Sequence, residues 1–477
     1  MRHTQGLPQD AAHGLSWLSI IRLGLVQTAL GAIVVLTTST LNRVMVVELS
    51  LAATVPGLLV GLHYAVQILR PRWGFGSDVG GRRTPWIIAG MTMLALGACL
   101  AAVATAFWAS APWLSGAVLV IAFLIIGIGV GCAGTTLLAL LATYTAPARR
   151  APAATIVWLM MIAGFVVTAI VAGAMLDPFS MARLVMVTVV VCATALAVTV
   201  LALLGIERKN TPIEVAAEPL AQDTSAKPTF QAALIETWND PTARRFTVFV
   251  FLSMLAYSAQ DLILEPFAGH VFAMTPGEST QLSGVQHGGV FIGMALVGLI
   301  GGLTGARGRN TDAFALQNWV VGGCIGSALA LAGLAIGGMY GIGWPLKANV
   351  FALGFANGVF AVAAIGSMMA LSSEGKRGRA GTRMGLWGAA QAMAFGLGGL
   401  LGTVLVDVSR LIVDDAASAY GTVFIAEAIV FLASALLAVR LAGRSFKITS
   451  AAAANPQLTA DAGIMPASAV SAPAGRG

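Results

Sequence analysis

The sequence predicts an all-α membrane protein with twelve transmembrane helices in two six-helix halves. Of its 477 residues, 57% are hydrophobic and only 10% are charged, whereas a soluble globular domain carries about 25% charged residues. The apolar residues form twelve runs, each near the roughly 20 residues that a helix needs to cross a bilayer. One long polar interval, 207–245, separates the first six runs from the last six.

Each apolar run predicts one helix, because a segment that crosses a bilayer must satisfy its backbone hydrogen bonds internally. The N-terminal half, 19–206, contains runs at 19–41, 51–69, 85–107, 114–142, 153–176 and 184–206. The C-terminal half, 246–441, contains runs at 246–268, 282–304, 314–340, 346–371, 384–406 and 418–441. Residues 1–18 then form an N-terminal segment, 207–245 a linker, and 442–477 a tail that its Ala, Pro and Ser content predicts to be disordered.

The basic residues lie mainly in the loops on one side of these helices. Lys and Arg number 27 against 20 Asp and Glu, and four basic residues fall on the opposite side: Arg43, Arg183, Lys347 and Arg410. An excess of Lys and Arg marks the cytoplasmic side of a membrane protein. Both termini and the linker are therefore expected in the cytoplasm. This bias explains the net charge of +7 without a nucleic-acid partner, and the expected surroundings are the lipid bilayer.

The loop between the second and third predicted helices carries a recognisable motif. Residues 74–83 read Gly74-Phe-Gly-Ser-Asp78-Val-Gly-Gly81-Arg82-Arg83, which resembles the signature loop of the major facilitator superfamily, Gly-x-x-x-Asp-x-x-Gly-Arg-Arg. Its glycines allow a tight turn between packed helices, and Asp78 can accept hydrogen bonds from helix N-termini and pair with the arginines. Together with two halves of six helices, this gating loop predicts the major facilitator fold.

Ionisable side chains inside the predicted helices are rare, and several gather in helices seven and eight. Asp261 and Glu265 lie four residues apart on one face of helix seven, with Gln260 beside them, and Gln286 and His287 lie near the start of helix eight. A carboxylate inside a bilayer costs about 2.5 to 3.5 kcal/mol on insertion scales, so it should pair, protonate or line a polar cavity. Alternatively, both carboxylates reach the membrane interface at the end of the helix.

Two further ionisable residues lie elsewhere. His63 is placed about 10 Å from the cytoplasmic edge by the rise of a helix, too far from helix seven to share one small site. Glu427, in the middle of the last predicted helix, either faces a partner helix or is protonated in lipid.

The sequence does not predict an enzyme. No hydrolase, kinase or dinucleotide motif occurs in the required context. The four cysteines show neither a CxxC pair nor the spacing of metal ligands. No disulfide, metal or nucleotide is therefore expected.

Three segments carry a more specific pattern: 62–74 (LHYAVQILRPRWG), 260–267 (QDLILEPF) and 281–289 (QLSGVQHGG). They resemble the light-harvesting-complex assembly proteins of the PucC/LhaA group, the bacteriochlorophyll delivery family of the major facilitator superfamily. The resemblance implies a role in assembling antenna complexes in the bacterial inner, intracytoplasmic membrane. It implies delivery or insertion of bacteriochlorophyll, as transient cargo, at newly made antenna polypeptides, preferentially those of the core complex around the reaction centre. The implied partners are antenna polypeptides and the pigment-synthesis machinery.

The residues themselves are compatible with that role. An interior walled by Ala, Leu, Val, Gly and Phe suits an apolar or amphiphilic ligand, and imidazole, carboxylate or amide groups suit a chlorin magnesium. The candidate pigment- or substrate-binding residues are therefore His63, Gln260, Asp261, Glu265, Gln286 and His287. Two other functions remain open: a proton-coupled major facilitator transporter of a small amphiphile that uses Asp261 and Glu265 as its proton site, and a scaffold that moves nothing.

Overall fold

Twelve principal helices follow one another through the residues that the computed structural model describes, 15–69, 73, 82–145, 150–209, 238–239, 241–306, 313–373 and 380–454. The first six are α1 (Trp17–Glu48), α2 (Thr54–Val66), α3 (Thr84–Ala106), α4 (Pro112–Tyr144), α5 (Arg150–Leu176) and α6 (Met181–Leu203). The last six are α7 (Pro241–Phe272), α8 (Pro276–Ala306), α9 (Ala313–Tyr340), α10 (Leu346–Ser373), α11 (Ala380–Ile412) and α12 (Ala416–Ala454). The described residues contain no strand, so the prediction of an all-α membrane protein is confirmed.

The described part of the second helix is shorter than predicted. Eleven of the described helices are long and apolar enough to cross a membrane, whereas the described residues of the second helix are the 13 of α2 and the 3₁₀ turn Gln67–Leu69. At 1.5 Å per residue, such a helix covers about 20 Å of a hydrocarbon core of about 30 Å. The described chain therefore has eleven full-length candidate spans and one short helix at the second position.

The helices of each half pack mainly against one another. In the first half, α1 contacts α5 and α6, and α3 contacts α4 and α6; in the second, α7 contacts α11 and α12, and α9 contacts α10 and α12. The two halves meet mainly along two helix pairs, α5 with α8 and α2 with α11, and the last part of α1 also contacts α7 and α8. The first pair approaches closely because it carries glycine: a Cβ at Gly173 would lie 2.7 Å from the carbonyl oxygen of Gly277.

Polar contacts tie the halves together at the end of the bundle where α1 finishes, called the distal end below. Since successive helices alternate in direction, the distal end also carries the loops 177–180, 273–275 and 413–415. There the carboxylate of Asp407 in α11 accepts hydrogen bonds from the backbone N–H groups of Ala53 (3.0 Å) and Thr54 (2.7 Å). The hydroxyl of Thr275 donates to Asp177 at 3.0 Å. The two halves are therefore in contact across the distal end.

Helix α12 continues beyond its predicted end. It runs to Ala454, so the prediction of disorder is wrong for residues 442–454, while 455–477 lie outside the described residues. The reason is local: residues 451–454 are all alanine, the strongest helix former. Pro456 then disfavours helix at the residue before it.

Most of the predicted gating loop lies outside the described residues, including Gly74, Asp78 and Gly81. Its last part shows a contact that the sequence did not predict. Glu207, in the short helix Ile206–Lys209 after α6, accepts hydrogen bonds from the backbone N–H groups of Arg83 (2.7 Å) and Thr84 (2.9 Å). Because the first N–H groups of an α-helix have no carbonyl partner within the helix, Glu207 caps α3 and complements its dipole.

Candidate functional site

Helix α1 departs from α geometry where it faces the second half. Two segments, Leu36–Thr40 and Val44–Glu48, are π-helical, a geometry found frequently at functional sites. Four of the buried polar residues in and between these segments bond to the second half: Ser39, Thr40, Asn42 and Arg43. This part of α1 therefore presents a polar strip to α7 and α8.

Hydrogen bonds connect this strip to its partners across the two halves. The hydroxyls of Ser39 and Ser283 share a hydrogen bond of 3.2 Å, and those of Thr40 and Thr280 share one of 3.1 Å. The side-chain amide of Asn42 donates to the backbone carbonyl of Leu262 at 2.6 Å. We call this region the polar seam and define it by eight residues: Ser39, Thr40, Asn42, Arg43, Glu265, Thr280, Ser283 and His287.

Arg43 is a buried member of the seam. The sequence placed it on the non-cytoplasmic side with the few loop cations, but it lies within α1 and is only 2% exposed, which corrects that interpretation. Its Nη2 donates to the backbone carbonyl of Met274 at 2.6 Å, and its Nη1 donates to the Glu48 carboxylate. Its Nε has no hydrogen-bond partner among the described residues. The guanidinium is thus held between the halves by its two terminal nitrogens, and its Nε–H donates to no described residue.

Glu265 lies inside the helix bundle. Its side chain is 1% exposed, so other parts of the protein surround its carboxylate. Ser39, Ser283 and Arg43 lie near enough to act on its carboxylate, yet neither oxygen has a hydrogen bond of normal geometry with a described residue. Because a buried, unpaired carboxylate is costly, this position is suited to a proton, a water molecule or a polar group of a ligand.

Asp261 has different neighbours, although it lies one turn before Glu265. Its Oδ1 accepts a long hydrogen bond from Gln286 Nε2 at 3.5 Å, and its charge acts on Tyr257 and Glu427. Glu427 is buried, and its two carboxylate oxygens lack partners in the described chain. Glu427 therefore faces its neighbours within the second half, which favours the partner-helix alternative over lipid. The two acids of α7 belong to separate environments.

His287 projects from α8 towards α5. Its Nδ1 lies 2.8 Å from the backbone carbonyl oxygen of Ser283, and its ring packs edge-on against Phe165 with centroids 4.9 Å apart. A carbonyl oxygen can only accept, so Nδ1 carries the proton and Nε2 of the neutral ring carries a lone pair. The side chain is half-buried. Through Ser283, His287 joins the same seam as Glu265.

His63 is part of a different environment, in agreement with the topological estimate. It is buried between α2 and α4, where a Cβ at Gly127 would lie 2.6 Å from the His63 carbonyl oxygen. The side-chain amide of Gln67 lies 2.9 Å from His63 Nε2, so this ring nitrogen already has a hydrogen-bond partner. The structure thus does not bring His63 into the seam.

Gln260 is completely buried in α7, and neither of its amide heteroatoms has a partner among the described residues. The structure therefore separates the six candidate residues. Glu265 and His287 join the seam through Ser283, Asp261 contacts Gln286, and the other two candidates stand apart from these groups.

An apolar groove of about 850 Å³ lies away from these residues, between α9 and α10. Trp319 and Trp344 line it together with small residues such as Gly326 and Ala352. None of the candidate residues lines this groove. Its apolar character provides packing surface but not the polar groups that orient a ligand.

Comparisons with known proteins agree with the fold and the sequence resemblance. A family model described as "PUCC protein" matches residues 40–446. The chain is 53% identical over 429 residues to the "Bacteriochlorophyll synthase 44.5 kDa chain" of Rhodobacter capsulatus, covering 89% of this chain and 95% of that protein. It is 30% identical over 428 residues to "Protein PucC" of Cereibacter sphaeroides, covering 86% of this chain and 88% of that protein.

Solved structures of transporters share the architecture. A nucleoside transporter, NupG, superposes with a TM-score of 0.64 at 14% identity, covering 89% of this chain and 99% of that chain. A bacterial homologue of the human lysosomal transporter Spinster, in an inward-facing conformation, superposes with a TM-score of 0.63 at 16% identity. The match covers 89% of this chain and 96% of that chain. At such identities the likeness concerns the fold alone, and it confirms the prediction of a major facilitator fold.

Proposed function

Because the chain belongs to the PUCC protein family, which it matches over residues 40–446, we propose that it is an assembly factor for photosynthetic light-harvesting complexes. In this role it delivers or inserts bacteriochlorophyll at newly made antenna polypeptides. The relative that shares 53% of its residues carries bacteriochlorophyll in its name, which supports a pigment as the cargo. Binding and release belong to this chain, and the chemistry of pigment synthesis belongs to other proteins.

The polar seam is the structural observation that carries this proposal. It places an imidazole, a carboxylate and several hydroxyls at the junction of two halves whose cores are mainly apolar. A chlorin combines a large apolar ring with a magnesium ion and a few peripheral oxygen atoms. Magnesium prefers oxygen ligands and also accepts imidazole, and apolar walls with few polar groups are typical of sites for such ligands.

The proposal includes a location and partners. The chain is a multi-pass membrane protein, and the distribution of Lys and Arg favours both termini in the cytoplasm. We place it in the bacterial inner, intracytoplasmic membrane, beside antenna polypeptides and the pigment-synthesis machinery. Among antenna types we propose the core complex around the reaction centre. The difference between 53% and 30% identity supports a role distinct from that of the relatives named PucC.

Deletion of this chain from a pigment-making cell tests the function directly. The expected result is a loss of core-antenna absorbance in isolated membranes, while reaction centres and free pigment are still made. Re-expression of the wild-type chain should restore the absorbance. Unchanged core antenna in the deletion strain contradicts the proposal, and loss of the peripheral antenna alone would assign the chain to the other antenna type.

A proton-coupled transporter of a small amphiphile is the second candidate, and the buried carboxylates of Glu265 and Glu427, which have no hydrogen-bond partner among the described residues, favour it. The sequence assigned its proton site to Asp261 and Glu265 together, but the structure places these side chains in different surroundings. Proton-driven uptake of an amphiphile by the purified protein in pigment-free liposomes would support this candidate. Bacteriochlorophyll that stays with the protein through purification in mild detergent supports the first.

A further inference from the structure

The hydrogen bonding of His287 prepares one ring nitrogen for a ligand. Its Nδ1–H donates to the carbonyl of Ser283 at 2.8 Å, one helical turn earlier, and Ser283 is itself held by Ser39 at 3.2 Å across the seam. This contact sets both the tautomer and the direction of the ring. Metal-binding histidines show the same arrangement, in which one N–H donates to a carbonyl and the other nitrogen faces the metal.

The surroundings of His287 leave room on one side. Phe165 packs against the ring edge-on at 4.9 Å. The next residue, Gly288, has no heavy atom within 4 Å of the position that a Cβ would take. The adjoining helix surfaces form an apolar cluster around Ile162, Val290 and Met294. A half-buried imidazole at the edge of an apolar wall is suited to a flat, apolar ligand with an electropositive centre.

Two of the other candidate ligands are less accessible. Nε2 of His63 already receives a hydrogen bond from Gln67 at 2.9 Å, and its ring is buried within the first half. The carboxylate of Glu265 is almost fully enclosed by the seam, and that of Asp261 already accepts a hydrogen bond from Gln286. Among the described residues, no hydrogen bond engages Nε2 of His287. Of the two candidate imidazoles, His287 is therefore the more exposed and the better oriented.

From these observations we infer that His287 ligates the central magnesium of a chlorin through Nε2. The inference rests on the proposed function and deepens it by naming the ligating atom. It also assigns different roles to the other candidate ligands. Glu265 then binds a polar group at the edge of the pigment or holds a proton, and His63 has a structural role. The ligation forms a coordinate bond and breaks none within the protein.

A metal-free chlorin tests whether Nε2 of His287 is the ligating atom, because such a chlorin keeps the ring and lacks the magnesium. Detergent-purified protein is titrated with bacteriochlorophyll and, separately, with bacteriopheophytin, its metal-free form. The wild type is expected to bind bacteriochlorophyll more tightly by about tenfold or more, the affinity that one good ligand contact supplies. In His287→Leu and in His287→Phe, which offer magnesium no ligand atom, the ratio of the two dissociation constants should fall towards one.

His63→Leu is the matched control, since it removes a membrane imidazole whose Nε2 is already occupied. It should keep the wild-type ratio. Resonance Raman spectra of the bound pigment report the coordination number of magnesium, and the five-coordinate signature should vanish in His287→Leu and return with added imidazole.

An unchanged ratio and signature in both His287 variants overturn the inference but leave the proposed function standing. If the wild type binds neither chlorin, the proposed function itself fails.

Discussion

The carboxylate of Asp407, in the second half, caps the N-terminus of α2, in the first half, by accepting two hydrogen bonds from Thr54. It accepts hydrogen bonds from the Thr54 backbone N–H at 2.7 Å and from the Thr54 hydroxyl at 2.6 Å. A carboxylate at a helix N-terminus is favoured by the unpaired N–H groups and by the helix dipole. The contact therefore stabilises α2 and at the same time joins the two halves at the distal end.

Removal of this carboxylate should loosen the distal end. Asp407→Ala loses charged hydrogen bonds between the halves, and we expect a loss of about 1 to 3 kcal/mol of unfolding free energy. Spin labels in place of Trp113, 94% exposed in the first half, and Ile342, 87% exposed in the second, should report longer distances by pulsed electron resonance. An unchanged distance distribution would show that Asp407 does not hold the halves together.

Asp415→Ala is the matched control for that experiment. Asp415 also lies at the distal end, but it accepts hydrogen bonds from the backbone N–H and the hydroxyl of Ser418 within its own helix, both at 2.8 Å. These bonds hold the pKa of Asp415 below its usual value. The substitution should therefore remove a helix cap without changing the distance between the labelled positions.

The double variant Glu265→Gln with His287→Gln should lower antenna assembly without lowering the amount of this protein in the membrane. Both changes keep the approximate volume of the side chain, so the packing of α7 and α8 should persist. Antenna absorbance of membranes and immunodetection of the protein provide the two measurements. Antenna absorbance equal to that of the wild type would show that neither residue belongs to the functional site.

Glu207→Ala should destabilise the first half. The variant leaves the N–H groups of Arg83 and Thr84 without their carboxylate, and loss of a cap costs about 0.5 to 2 kcal/mol. Thermal unfolding in detergent should therefore begin at a lower temperature than in the wild type. Glu207→Asp, which retains the charge on a shorter side chain, should recover part of the loss, and equal unfolding of all three proteins would refute the cap.

Gly173→Ala should separate the two halves, because its Cβ would lie 2.7 Å from the backbone carbonyl of Gly277. In contrast, Gly298 has no heavy atom within 4 Å of the same position. Replacing a helical glycine by alanine without a clash gains about 0.5 to 1 kcal/mol. The unfolding temperature is thus expected to fall in Gly173→Ala and to rise in Gly298→Ala. A higher unfolding temperature in both variants would show that the halves can move apart without cost.

The site was only partly visible in the sequence. Asp261, Glu265 and His287 stand out because ionisable side chains are costly in lipid. Ser39, Thr40 and Asn42 do not, because one hydroxyl or amide within an apolar run changes its hydropathy little. Arg43 was counted with the loop cations, since charge at the end of an apolar run usually marks the membrane interface. Only the packing of α1 on α7 and α8 shows that these residues meet across the halves.

The sequence by itself determined that the chain is helical, crosses a membrane many times and divides into two sets of six helices. The physical reason is that the hydrocarbon of a bilayer forms no hydrogen bonds with the backbone, so a spanning segment must form its backbone hydrogen bonds internally. Composition and run length therefore suffice to predict the spans. Only the tertiary structure decided which polar groups share a site. It placed Glu265 near Ser39 and Ser283 and directed Asp261 towards Gln286, because the neighbours of a side chain depend on the helices packed beside it.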